Sequence, residues 1–348
     1  MTNPLFSWQT DSWQQLNALR MRMPHAILLH GSEGIGKTVF AEHLAKSLLC
    51  EAAGADGHAC GNCVSCGWFD QYSHPDYRRV RPELLDEEDS ISGEGGDGNE
   101  PEAEKKTAKS SKAPSKEIVI NQVRALADFM NISTHRQGLR VIVLYPAEAL
   151  NVPAANALLK SLEEPNANSV FILVSNGLDK LLPTILSRCH KFPLGMPAKE
   201  QALEWLGTQQ LKNAEAWLAQ QGGAPLSALK IAQSENRSDY DEFLRQLCSP
   251  GVEVSLKIAE KMQKMDVPIT VACLQRWLYD IFSYKQSGRI RYYPSYSKEL
   301  ARLAKQVEMN SLLKIIKSTG ERQAIASHPL SAKLFIEDML LEYSALFY

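Results

Sequence analysis

The chain has 348 residues, 44% of them hydrophobic, and 38 Lys and Arg balance 40 Asp and Glu for a formal net charge of -2. Such a chain has room for two or three domains with real cores, and its charge balance excludes DNA binding by bulk positive charge while leaving a local basic face open. No apolar run approaches a membrane-spanning length, and the polar start MTNPLFSWQTDSWQQ lacks the basic-then-apolar order of a secretory leader, so the expected setting is cytoplasmic with no membrane partner.

In chain order, the first element is an apolar run over residues 26–30 that predicts a buried strand, followed by GSEGIGKT over 31–38 and a helical segment over 39–49. The eight residues complete the pattern G-x-x-x-x-G-K-[ST] at a strand-to-helix turn, the context that a phosphate-binding loop requires. Gly31, Gly34 and Gly36 free the backbone to wrap phosphate oxygens, Lys37 would reach the β- and γ-phosphates, and Thr38 would ligate Mg²⁺. ATP or ADP with Mg²⁺ is the ligand such a loop would take; the alternative is a glycine-rich turn that holds none.

Cys50, Cys60, Cys63 and Cys66 follow with the spacing C-x9-C-x2-C-x2-C. Four clustered thiolates suit a closed tetrahedral structural Zn²⁺ site. An iron–sulfur cluster is the alternative, although the Cys-Pro expected after such a run is missing; His58 or His74 replacing one thiolate is another. Cys189, Cys248 and Cys273 are scattered and expected to be reduced.

A second strand is expected over 77–81. Residues 86–116 then run acidic and glycine-rich before turning basic, with almost nothing apolar to bury, which predicts a disordered insertion. Beyond it, helix is expected over 118–130 and 154–163, and strand over 140–145 and 170–175. Alternating strands and helices imply an α/β module built on a parallel sheet. After Pro197 only helical spacing remains, with a polar linker at 233–238.

A P-loop enzyme also holds Mg²⁺ through an acidic residue at the end of a neighbouring strand. Here the strand RVIVL ends in Tyr145 and Pro146, which can neither hold a metal nor act as a base. Glu148 stands close by, but catalytic geometry tolerates little displacement, even about 1 Å. Turnover of ATP by the chain alone is not expected.

Several segments together resemble the clamp-loader family of AAA+ proteins, and within it the delta-prime branch of bacterial DNA polymerase III: MPHA at 23–26, the phosphate loop, the four cysteines, AANALLKSLEEP at 154–165, LPTILSRC at 182–189 and GGAPLSAL at 222–229. The resemblance implies an AAA+ P-loop module over 1–196 with a zinc excursion at 50–66, a helical lid over 197–237 and an all-helical collar over 238–348. It implies a subunit that assembles with gamma/tau-type ATPase subunits and a delta subunit to load a sliding clamp on primed DNA. Arg188, in its Ser-Arg-Cys motif, would reach into a neighbour's ATP site as an arginine finger. The plain alternative is an arginine that caps its helix or pairs with Glu163 or Glu164.

Motor subunits of this family carry Asp-Glu where Tyr145-Pro146 stands and an arginine in the lid motif where Ser227 stands. Both departures point to a non-hydrolysing member, whose polymerase and nucleotidyltransferase chemistry belongs to the holoenzyme by association. Two other readings remain: an active gamma/tau-type ATPase, and a zinc-dependent DNA-binding module that uses Arg78-Arg79 and the stretch RIRYY at 289–293.

Overall fold

The hydrophobic pattern separates into two regimes, and the computed structural model follows it. It describes residues 5–92, 114–132, 134–135, 138–327 and 331–348. Residues Met1–Met196 form one compact unit and Pro197–Tyr348 another.

The first unit opens with α1 (Thr10–Ala18), then alternates: β1 (Ala26–His30), α2 (Lys37–Leu49), α3 (Val64–Asp70), β2 (Tyr77–Val80), α4 (Glu83–Ser92), α5 (Ile120–Asn131), β3 (Arg140–Leu144), α6 (Val152–Glu163), β4 (Ser169–Ser175), α7 (Pro183–Leu186) and β5 (His190–Pro193). The strands form one parallel sheet in the order β2-β3-β4-β1-β5. The three central strands, AILLH, RVIVL and SVFILVS, are buried almost throughout. Strands covered on both faces need apolar residues at consecutive positions, which is what these runs supply.

Alternate residues feed opposite faces. Leu28, Ile142, Leu144, Phe171 and Leu173 pack with Val123, Leu126, Ala155 and Leu158 of α5 and α6. Helix α2 packs against β3 and β4. Asn151 starts α6 by accepting the Ala154 N–H at 3.0 Å, with Pro153 in the first turn where its missing N–H costs nothing.

Three local expectations change. The short edge strand β5 is absent from the sequence reading because only Phe192 of its four residues is buried. Helices α1 and α3 are likewise new. Residues 86–92, read as the start of a disordered insertion, continue helix α4; Asp86 there is held by Arg81 at 2.5 Å. Residues 93–113 of that insertion lie outside the described residues.

The second unit is helical: α8 (Lys199–Thr208), α9 (Ala214–Gln220), α10 (Pro225–Ala232), α11 (Arg237–Leu247), α12 (Val252–Met262), α13 (Val267–Ser287), α14 (Ser297–Gln306), α15 (Met309–Ile325) and α16 (Ala332–Ser344). Among the described residues it holds two apolar clusters. Ala202, Leu206, Trp217, Leu218, Ala228 and Ala232 make a small one across α8 to α10. A larger one centres on Leu274, Trp277, Leu278 and Ile281 of α13 and draws on α11 to α16. Trp277 donates to the Tyr343 hydroxyl at 3.0 Å, which in turn donates to the Leu247 carbonyl at 2.7 Å. The polar stretch at 233–238 divides accordingly: residues 233–236 connect α10 to α11, and Arg237 already begins α11.

Candidate functional site

The phosphate loop leaves the carboxyl end of β1 and enters α2. Gly34 and Gly36 take φ of 76° and 86°, left-handed values that side chains resist. At Gly31 a Cβ would strike the Leu194 carbonyl. The loop is braced from outside by a segment that the sequence reading did not single out. Trp8 Nε1 and Gln9 Nε2 donate to the Ile35 carbonyl at 3.0 and 3.2 Å, and Gln9 Nε2 also to the Gly36 carbonyl at 2.9 Å. In a trans peptide the N–H points opposite to the carbonyl. Pinning those carbonyls therefore turns the Gly36 and Lys37 amides toward the cradle.

Lys37 is buried, and its ammonium donates to the Ser32 carbonyl at 2.6 Å, inside the loop. Burial pulls its pKa down to about 8, against the attraction of Glu148 and Glu33. A polyphosphate entering the cradle would supply the compensating charge. Thr38 stands next to it in the first turn of α2.

At the end of β3, Tyr145 lies beside α2. Its hydroxyl accepts from Arg81 Nη1 at 3.4 Å and meets Glu42 Oε1 at 3.5 Å. Burial pushes the phenol up to about 12, so it is a neutral group at physiological pH. Arg79 adds an ion pair to Glu42 at 3.8 Å and stacks over Tyr72. The β2–β3 register, in which Val80 pairs with Leu144, brings Arg79 and Arg81 beside Tyr145, and Glu42 of α2 and Tyr72 after α3 complete the cluster. No spacing in the chain announces it. Glu148, in the 3-10 turn Ala147–Ala149, accepts the Asn176 N–H through Oε1 at 3.0 Å.

The four cysteines converge. Their sulfurs all lie within 4.8 Å of one another, with Cys50 to Cys63 at 3.9 Å and Cys60 to Cys66 at 4.0 Å. A tetrahedron of Zn–S bonds of about 2.3 Å has edges of roughly 3.8 Å, so the cage fits that ion. Backbone N–H groups of Cys60, Cys63 and Cys66 donate to the sulfurs of Cys50, Cys60 and Cys63 at 3.2, 3.3 and 3.4 Å. The amides of Asn62 and Cys63 pull the Cys60 thiol down to about 6, while burial pushes the thiols of Cys50 and Cys66 up. Neither histidine joins the cage. His58 Nδ1 meets His43 Nε2 of α2 at 2.8 Å, and His74 Nδ1 accepts the Asp76 N–H at 3.0 Å.

Arg188 follows α7. Its Nη2 pairs with Glu163 Oε1 at 2.5 Å, and its Nη1 donates to the Thr184 carbonyl at 2.9 Å and the Ser187 hydroxyl at 3.3 Å. About a third of the side chain stays exposed, 32%. A guanidinium carries five N–H donors, so these contacts leave donors for an incoming ligand.

In the basic stretches the backbone and the tyrosines are engaged within the fold, while Arg78, Arg289 and Arg291 stay exposed. Asp280, fully buried, accepts the N–H groups of Arg291, Tyr292 and Tyr293 at 2.7–3.2 Å. Tyr293 is buried and donates to the Cys273 carbonyl, and the Arg78 guanidinium lies over Phe129. These tyrosines serve packing first.

The family model described as "DNA polymerase III, delta subunit" matches residues 8–197. DNA polymerase III subunit delta' of Pseudomonas aeruginosa is 33% identical over 345 residues, 97% of this chain and 90% of its own. The chain belongs to the delta-prime family of DNA polymerase III subunits. The delta-prime subunit of Haemophilus influenzae is also 33% identical, over 64% of this chain and 59% of its own. A gamma subunit of DNA polymerase III from Buchnera aphidicola is 29% identical over 53% of this chain and 42% of its own. Among the described residues no helix is long and apolar enough to cross a membrane.

Proposed function

We propose that this delta-prime family member works as a non-motor subunit of a clamp loader. It joins gamma/tau-type ATPase subunits and a delta subunit, and the assembly opens a sliding clamp and places it on primed DNA. The observation that carries the reading is the end of β3: Tyr145 is bound to Arg81 and Glu42, and Pro146 follows it, where a motor subunit has a pair of acids that includes its catalytic base. Without that base, the loop over 31–38 holds ATP or ADP with Mg²⁺ as a retained ligand and not as fuel.

Arg188 completes the ATP site of a neighbouring subunit. Its permanent charge and planar fork suit the oxygens of a transferring phosphoryl group, a contribution of roughly 10³–10⁵ in rate for trans arginines in P-loop systems. Glu163 holds the guanidinium near the surface until the neighbour arrives. Cys50, Cys60, Cys63 and Cys66 bind a structural Zn²⁺ that pins residues 50–66 to the end of α2. The separate apolar clusters support a division into an AAA+ module over 1–196, a lid over 197–237 and an oligomerising collar over 238–348, the last boundary falling at the start of α11.

The test is steady-state ATP hydrolysis by the purified chain alone and mixed with its gamma-type and delta-type partners, clamp and primed DNA. The expected result is silence alone, turnover in the mixture, and a steep loss in the mixture on Arg188→Ala. Turnover by the lone chain that disappears on Lys37→Ala overturns the reading and favours the gamma/tau-type ATPase.

A further inference from the structure

Glu148 holds the only buried carboxylate oxygen without a hydrogen-bond donor among the described residues, its Oε2. Its other oxygen is fixed by the Asn176 amide, immediately past the end of β4. Buried acceptors without partners are rare in folded proteins and call for an explanation such as an ion.

The sheet indicates where that oxygen lies. In the order β2-β3-β4-β1-β5, β4 separates β3 from β1, and all the strands run parallel. The carboxyl ends of β3, β4 and β1 therefore line up along one edge, and the phosphate loop begins where β1 ends. From the turn after β3, Glu148 reaches the residue that follows β4, the strand next to β1.

The electrostatics agree. Glu148 acts on the Lys37 ammonium more strongly than Glu33 does. The Lys37 ammonium itself donates to the Ser32 carbonyl. A bare carboxylate facing a phosphate cradle repels phosphate unless a cation stands between them. We propose that Glu148 Oε2 is the carboxylate ligand, direct or through a metal-bound water, of the Mg²⁺ that accompanies a nucleotide in the 31–38 loop. The Thr38 hydroxyl would hold the same ion from the loop side, and Glu148 would replace the carboxylate that Tyr145 does not supply. The inference rests on the nucleotide-binding reading of the loop. It assigns a metal ligand and no base, so it calls for retention of Mg-nucleotide without turnover.

The test uses the full chain and fluorescent methylanthraniloyl-ADP, titrated in EDTA and in Mg²⁺, for the wild type and Glu148→Gln. Glutamine keeps an acceptor for the Asn176 amide and removes the charge. Wild type is expected to bind about tenfold or more tighter with Mg²⁺, a difference well above measurement error. Glu148→Gln should match wild type in EDTA and lose most of the Mg²⁺ gain. Replacing Mg²⁺ by Mn²⁺ gives a second readout, since the electron-spin resonance of bound Mn²⁺ should change in the variant. A variant with the full Mg²⁺ gain and an unchanged Mn²⁺ signal overturns the proposal. Wild type that binds in EDTA and gains nothing from Mg²⁺ overturns it too, and leaves the loop reading intact. Wild type that binds under neither condition removes the loop reading and the proposal with it.

Discussion

Gly36→Ala isolates how the N-terminal brace shapes the phosphate loop. Gly36 has φ 86°, and a Cβ there would come within 2.6 Å of Phe6 Cδ2 and closer still to Cε2. The left-handed conformation costs an alanine about 1–2 kcal/mol. Phe6 must also leave its stack on Trp8, whose ring centroids lie 4.6 Å apart, for a further loss of about 0.5–1.5 kcal/mol. The sum is about 2–3 kcal/mol. Phe6→Ala by itself should cost about 1–2 kcal/mol for a half-buried ring, and in the double variant the new methyl no longer meets the ring. The double variant should therefore be more stable than additivity predicts, by about 1 kcal/mol. Urea unfolding of the four proteins, followed by the fluorescence of Trp8 and Trp13, measures that coupling. Additivity within about 0.5 kcal/mol refutes the packing argument.

The zinc site predicts one Zn²⁺ per chain by metal analysis. Chelation or Cys60→Ser should lower Tm and alter Trp13 fluorescence, because Trp13 donates to the Asp56 carbonyl at 3.0 Å and stacks on His58 at 4.8 Å. Lys37 titrates near 8 in the free chain and at 10.5 in the unfolded one, so the unfolded state holds the extra proton between those values and this group makes stability rise with pH there. Nucleotide binding near pH 8–9 should take up protons and weaken as pH rises, measurable by calorimetry in buffers of differing ionisation enthalpy. In the reconstituted assembly Arg188→Lys should lose at least about tenfold in turnover, because an ammonium keeps the charge but not the bidentate fork. Asp280→Ala leaves three backbone N–H groups without their acceptor and should cost about 3 kcal/mol or more in a melt, with Asp280→Asn losing less.

Much of the fold was legible where one residue pattern has only one comfortable structure. RVIVL and SVFILVS have no polar face to turn to water, so they read as central strands of a doubly covered sheet. The edge strand HKFP carried no such signal, since an edge needs only one buried side chain, Phe192. Residues 86–92 were misread for a related reason: their acidic composition reports solvation, which an exposed helix satisfies as well as a loop does. The cage of Cys50, Cys60, Cys63 and Cys66 was legible because short spacings leave thiols little freedom to scatter.

By itself, the sequence determined the chemistry on offer: the loop GSEGIGKT, four thiols, the Ser-Arg-Cys arginine, and Tyr145-Pro146 in place of acids. Contacts distant in the chain were decided by tertiary structure alone. Trp8 and Gln9 turn the amides of a loop about 27 residues away. Tyr145 finds Glu42 across 103 positions, Arg188 rests on Glu163, and Glu148 spans to Asn176 with one oxygen left over. Local patterns record backbone preference and burial. Which donor meets which acceptor depends on strand order and register, and those are properties of the packed sheet.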